Sequence, residues 1–122
     1  MIKSNYHTHT NFCDGKSTAE EMVKSAIEKK FDIFGFSSHS AYPYKSSWHL
    51  NPEKHFEYSK EIQRLKEFYK NDIELCLGFE SDYFPLICSP DKQRFLEFEP
   101  DFIIGSVHFV VNLDEPEKKG FP

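Results

Sequence analysis

The amino-acid sequence predicts an α/β fold built on a parallel sheet. Three observations carry this expectation. Short apolar runs alternate with amphipathic runs along the chain, helix-start signals stand in front of the amphipathic runs, and the second apolar run is apolar on both faces. Strands that alternate with helices pair in parallel, because each helix returns the chain along the sheet. A strand apolar on both sides belongs inside such a sheet.

Residues 2–7 read as a short first strand. Residues 18–30 read as a helix: Ser17 and Glu20 form an S-x-x-E capping box, Met22, Val23, Ala26 and Ile27 make one apolar face, and Lys29 and Lys30 close it with charges that suit the helix dipole. Residues 32–38 are the second strand. A loop follows over residues 39–50, and Asn51-Pro52 opens a helix that runs to about Tyr69, with Phe56, Ile62, Leu65 and Phe68 inward and Asn71 as its stop. Residues 73–79 are the third strand. Ser89-Pro90-Asp91 starts a short helix to about Phe98, and residues 101–107 are the fourth strand. The tail from Asp114 to Pro122 is polar, and no repeat or linker divides the chain.

A chain of 122 residues suits one small domain. Its net charge of -5 and lack of a basic run argue against nucleic acid or an anionic membrane as partner. An anionic small molecule is still compatible, since bound metal ions reverse the local sign of a site. The start, Met1-Ile2-Lys3-Ser4-Asn5, has no apolar signal region, and no run approaches the ~20 apolar residues of a membrane span. Cys13, Cys76 and Cys88 are odd in number and widely spaced, which fits a reduced, cytoplasmic protein.

The chemistry collects at the strand ends. The first strand runs into His7 and His9, the second into His39, the third into Glu80 and the fourth into His108. In parallel α/β folds the active site lies at the C-terminal ends of the strands, so residues far apart in sequence become neighbours there. Imidazole and carboxylate are the ligand types of Zn, Fe and Mn. Asp14 stands in the loop Asn11-Phe12-Cys13-Asp14-Gly15, close enough in sequence to fold over the same rim; an Asp-Gly turn is its alternative reading. A lone histidine at a strand end is more often structural, but four strand ends each supplying a ligand point to a metal centre. His49 and His55 stand away from strand ends and read as surface or packing residues, and Cys76 as a small buried residue. The aromatic loop from Tyr42 to Trp48 reads equally as a substrate-facing element or as packing.

His7-Thr8-His9-Thr10 with Asp14-Gly15, then Ser37-Ser38-His39-Ser40, Gly78-Phe79-Glu80 and Gly105-Ser106-Val107-His108, together resemble the polymerase and histidinol phosphatase (PHP) superfamily. Within it the pattern is most similar to the monofunctional histidinol-phosphate phosphatases, as are Trp48-His49-Leu50 and Gly105 through Phe109. The resemblance implies that about four β/α units form the N-terminal portion of a distorted, TIM-like (β/α)7 barrel. It implies up to three divalent ions, Zn, Fe or Mn. His7, His9 and Glu80 would hold one ion, Glu80 would bridge to a second held also by His108, and Asp14 and His39 would hold the third. Many relatives carry His where Asp14 stands; Asp is similar to the histidinol phosphatase subgroup.

Family members continue beyond this region with a further His, an Asp-x-His motif and a phosphate-contacting Arg. Residues 1–122 are therefore expected to be a partial PHP domain: a truncated product, a piece of a longer protein, or a half-barrel that self-associates through its open edges. The implied activity is metal-dependent hydrolysis of L-histidinol phosphate, a small phosphate ester, to L-histidinol and phosphate, a reaction of histidine biosynthesis. Water activated by the ions is the implied nucleophile. Little turnover is expected from this chain alone. The competing readings are a phosphodiesterase of the same family, a non-catalytic metal-binding remnant, and an amidohydrolase, the last disfavoured by Glu80 in place of a carboxylated lysine.

Overall fold

The structure is a computed structural model that describes residues 1–41, 50–83 and 89–107. Its elements are β1 (Ser4–Asn5), α1 (Ala19–Glu28), β2 (Ile33–His39), α2 (Lys54–Phe68), β3 (Glu74–Asp82), a 3₁₀ helix (Lys92–Phe98) and β4 (Phe102–Ser106). The strands form one parallel sheet in the order β1-β2-β3-β4. The expected alternation and parallel pairing are therefore present. The first strand is shorter than residues 2–7, so His7 and His9 lie beyond its ladder.

Register places the strand ends side by side: His39 pairs with Glu80, Glu80 with Ile104, and Asp82 with Ser106. Side chains alternate along each strand. Phe34 and Phe36 of β2 and Leu75, Leu77 and Phe79 of β3 join Val23, Ala26, Tyr58, Ile62 and Leu65 of the helices in a single core. Gly35, Ser37 and His39, and likewise Gly78, Glu80 and Asp82, take the opposite, concave face.

The sheet is strongly curled. A flat sheet would separate β1 from β4 by roughly 14 Å, three strand spacings. Yet the rings of Tyr6, just beyond β1, and Phe102 of β4 meet edge to face at 5.6 Å across the concave side. Two glycines permit this. A Cβ on Gly78 would come within 2.6 Å of Phe102 Cε1 and Cε2, and one on Gly35 within 3.0 Å of both Phe102 and Tyr6. These rings floor the half-barrel below the row of His39 and Glu80.

The helices follow the expected spans with altered details. The cap of α1 is Thr18 rather than Ser17: Thr18 Oγ1 accepts the Glu21 N–H at 3.1 Å, and the Glu21 carboxylate accepts the Thr18 N–H at 3.3 Å. The register moves by one because this places Ala19, Val23 and Ala26 in the core. Lys29 is the C-cap and Lys30 follows with φ of 61°, so both lie past the last turn. In α2, Asn51 and Pro52 form a preceding turn and Glu53 stands at the N-cap without a side-chain cap.

The inward face of α2 is His55, Tyr58, Ser59, Ile62 and Leu65, whereas Phe56 and Phe68, expected inward, are exposed. The helical stripe is rotated because Tyr58 is drawn between β2 and β3. Its hydroxyl donates to the Gly78 carbonyl at 2.7 Å and accepts the Ser38 N–H at 3.3 Å. Cys76 is half-buried rather than fully buried, and burial, with Asp101 and Glu74 nearby, pushes its thiol pKa up. Tyr42 to Trp48, His49, Cys88, His108 and the tail lie outside the described residues. Among the described residues no helix is long and apolar enough to cross a membrane.

Candidate metal centre

His7 and His9 stand in the segment leaving β1, Asp14 in the turn before α1, His39 at the last position of β2, and Glu80 near the end of β3. The turn is folded back by its own backbone: Cys13 and Gly15 N–H both donate to the Thr10 carbonyl, at 3.1 and 2.8 Å. A Cβ on Gly15 would lie 2.7 Å from the backbone of His9 and Thr10, so a side chain there would open the turn that carries Asp14. Thr8 anchors the other side, its hydroxyl donating to the Gly35 carbonyl at 2.7 Å.

Five of the six residues singled out in the sequence converge. Glu80 is buried and lies against three imidazoles. His7 Nε2 contacts its Oε1, His9 Nε2 stands 3.3 Å from the same oxygen, and His39 Nδ1 is 3.0 Å from Oε2. Asp14 bridges the other side, with His9 Nδ1 at 2.9 Å from Oδ1 and His39 Nε2 at 3.1 Å from Oδ2. The His9 and His39 rings are 4.2 Å apart. Burial raises the Asp14 pKa, but the neighbouring His39, the Cys13 thiol and His9 outweigh it, and the carboxyl is held below its ordinary value.

The donor chemistry fits a cation. A neutral imidazole has one N–H and one lone pair. His9 and His39 each turn both nitrogens to carboxylate oxygens, so one nitrogen of each neutral ring would present a lone pair to an anion. A proton or a metal ion between them relieves that repulsion. Three groups of ligand atoms lie within 4.8 Å of one another: His7, His9 and Glu80; His9, Asp14 and His39; and His39, Glu80 and Asp82.

Asp82 was not anticipated. It is buried on the concave face two residues beyond Glu80, and its Oδ1 accepts the Ser106 hydroxyl at 2.7 Å. The strand period of two was the available signal, since Glu80-x-Asp82 shares a face wherever Glu80 does. His55, read as a surface or packing residue, is a packing residue: it is buried, and its Nε2 accepts the Ala41 N–H at 2.9 Å.

Comparison with known proteins gives a consistent picture. A family model for the PHP domain matches residues 5–121. A Schizosaccharomyces pombe protein named probable histidinol-phosphatase is 31% identical over 116 residues, covering 85% of this chain and 38% of that protein. A Listeria monocytogenes chain carrying the name histidinol phosphatase shares the fold with a TM-score of 0.76 at 24% identity, over 96% of this chain and 53% of that one. The structure of Lactococcus lactis histidinol phosphate phosphatase, complexed with zinc, L-histidinol and phosphate, gives a TM-score of 0.65 at 25% identity, over 88% and 41%. The chain thus spans about half the length of these proteins or less. With its parallel half-barrel and its match over nearly every residue, the chain belongs to the PHP domain family.

Proposed function

We propose that the chain supplies part of the metal centre of a phosphomonoesterase of the histidinol-phosphate phosphatase type, which hydrolyses L-histidinol phosphate to L-histidinol and phosphate. The observation that carries this reading is the double exposure of His9 and His39 to carboxylates at the C-terminal rim of a parallel half-barrel. The naming of relatives as histidinol phosphatases, and the zinc, L-histidinol and phosphate bound by the L. lactis protein, support the substrate class.

On this reading His7, His9 and Glu80 would hold one ion, Asp14 and His39 another, and Glu80 together with His108 would serve a further one. Bound divalent cations supply the charge that neutralises a phosphate ester and favours water ionisation. The chain's own residues arrange the site. Glu80 brings a buried carboxylate within reach of three imidazoles, and Asp14 brings a second, partly exposed one to the outer side. The Tyr6–Phe102 floor closes the half-barrel beneath them. Residues 1–122 are proposed to form a partial PHP domain with part of the ligand set. Turnover by this chain alone is accordingly low, and self-association through the β1 and β4 edges would bring further groups to the rim.

The test begins with metal content after purification without chelator, then phosphate release from L-histidinol phosphate and from a phosphodiester. Metal uptake with preference for the monoester, in this chain or one extended to full relative length, is the expected result. A protein that takes up no metal on reconstitution would sink the metal reading. Preferential diester cleavage would replace the phosphatase with a phosphodiesterase. Sedimentation velocity reads the self-association.

A further inference from the structure

Behind the histidine cluster, on the helix side of the sheet, the chain leaving β2 is held in an unusual way. Ser40 still continues the ladder, its N–H donating to the Glu80 carbonyl at 2.9 Å. The next residue is held through both of its backbone polar groups, which belong to two successive peptide groups. The Ala41 N–H donates to His55 Nε2 at 2.9 Å, and the Ala41 carbonyl accepts from Arg94 Nη2 at 2.6 Å. The other terminal nitrogen of Arg94 donates to Ser81 Oγ at 2.9 Å. One guanidinium therefore ties the residue after Glu80 to the residue two beyond His39. The Leu50 N–H also donates to the His39 carbonyl, at 2.9 Å.

Both gripping side chains are themselves fixed. His55 comes from α2 and its ring lies among Phe79, Phe95 and Phe98, with centroids at 5.3, 6.2 and 5.2 Å. Arg94 comes from the 3₁₀ helix and lies over the Phe95 ring at 5.0 Å. Because Nε2 of His55 accepts a peptide N–H, its lone pair is committed there, and the ring is neutral with its proton on Nδ1. Satisfying the N–H and carbonyl of one half-buried residue needs no charged residue and no aromatic cage. Two rigid side chains from separate elements over-determine the position of Ala41.

We propose that His55 and Arg94 are positioning residues: by holding the N–H and the carbonyl of Ala41 they set the spacing of the β2 and β3 ends, and with it the orientation of His39 relative to Glu80. This rests on the reading of His39 and Glu80 as metal ligands. Supporting groups of this kind orient ligands within fractions of an ångström, and losing one typically weakens metal binding about 10–100-fold.

The test uses the full 122-residue chain with Arg94→Met, Arg94→Lys, His55→Leu and His55→Gln. Two readouts are taken on variants that remain folded by circular dichroism. The first, without metal, is the set of His39 ring resonances and the hydrogen exchange of the Ala41 amide. The second is zinc affinity by competition. Arg94→Met and His55→Leu are expected to shift the His39 ring resonances, speed Ala41 exchange at least ~10-fold, and weaken zinc ~10–100-fold. His55→Gln, which keeps an acceptor, should recover most of each effect.

Lowered melting temperature with unchanged His39 resonances and zinc affinity would show a merely structural role and overturn the proposal. A wild type that binds no zinc, with variants that still displace the His39 resonances, would leave the clamp standing and sink the metal reading instead. If Arg94→Met and His55→Leu unfold, Arg94→Lys carries the same readouts: its point-charge ammonium does not reproduce the guanidinium fork to Ser81 and Ala41, so shifted His39 resonances and weakened zinc binding are expected, and wild-type behaviour is the overturning result.

Discussion

Glu80 is the residue on which the proposed centre turns, since its buried carboxylate faces His7, His9 and His39 together. Glu80→Gln keeps the shape and removes the charge. Zinc affinity should fall by at least ~100-fold, beyond the range of a supporting group; a change within about 3-fold would show that Glu80 is not a ligand. His55 makes a separate prediction. Burial first, and Arg94 second, hold its imidazole down to about 4 from its ordinary 6.5. The unfolded chain takes up a proton as pH falls through 6.5, whereas the folded chain does so only near 4. Stability from this group is therefore full above pH 6.5 and is lost progressively toward pH 4, by at most about 3 kcal/mol. His55→Gln should flatten that part of the stability profile, measured by urea unfolding at a series of pH values. Arg94 is the charged group facing the ring, so Arg94→Met should raise the His55 pKa.

The candidate residues singled out in advance that the structure brings together were those tied to strand ends, His7, His9, His39 and Glu80, and Asp14 in the loop that follows the first pair. Asp82 gave only the strand period that puts it on the face of Glu80, and Arg94 gave no sign. An isolated Asp or Arg has too many ordinary uses for its type to reveal a role, and each acquires one through neighbours distant in sequence.

At the level of elements, helix spans and the apolar face of α1 were legible from periodicity, as were Ile62 and Leu65 of α2, but the α1 cap and the rest of the α2 face were not. Ser17-Thr18 is followed by Glu20-Glu21, so two capping boxes were available one residue apart. Packing of Ala19, Val23 and Ala26 selects the Thr18 box. Thr18→Ala should cost about 1 kcal/mol and Ser17→Ala close to nothing, by chemical denaturation. The reverse order would assign the cap to Ser17. Similarly, Phe56 and Phe68 satisfy a helical apolar pattern as well as Tyr58 does. Tyr58 takes the interior because its hydroxyl finds partners between β2 and β3, which a phenylalanine cannot use.

For the whole molecule, the curl of the sheet depends on two positions without side chains. Gly78→Ala places a methyl group against the Phe102 ring, and Gly35 receives the same ring together with Tyr6. Relief requires either rotation of Phe102 away from Tyr6 or a flatter sheet, and overpacking of this kind costs about 1–3 kcal/mol. Gly78→Ala should lower stability by that amount and weaken metal binding, because flattening draws His7 and His9 away from Glu80. Gly78→Ala combined with Phe102→Leu should recover part of both; failure of the double variant to do so would place the cost elsewhere. The aromatic floor could not be foreseen, since it joins residues 6, 35, 78 and 102 through a curvature that no local pattern specifies.

From residue order alone came the β/α alternation, the parallel sheet, the helix spans and the ligand-type residues at the strand ends. All depend on local propensity, on a period of two or 3.6, or on the rule that parallel strands share one functional rim. Tertiary structure decided how those residues meet: that His9 and His39 each face two carboxylates, that Asp82 joins His39 and Glu80, and that His55 and Arg94 hold the N–H and carbonyl of Ala41 beyond β2. Distances between groups separated by 25 to 73 positions are set by sheet register and curl, which arise from packing the whole half-barrel at once.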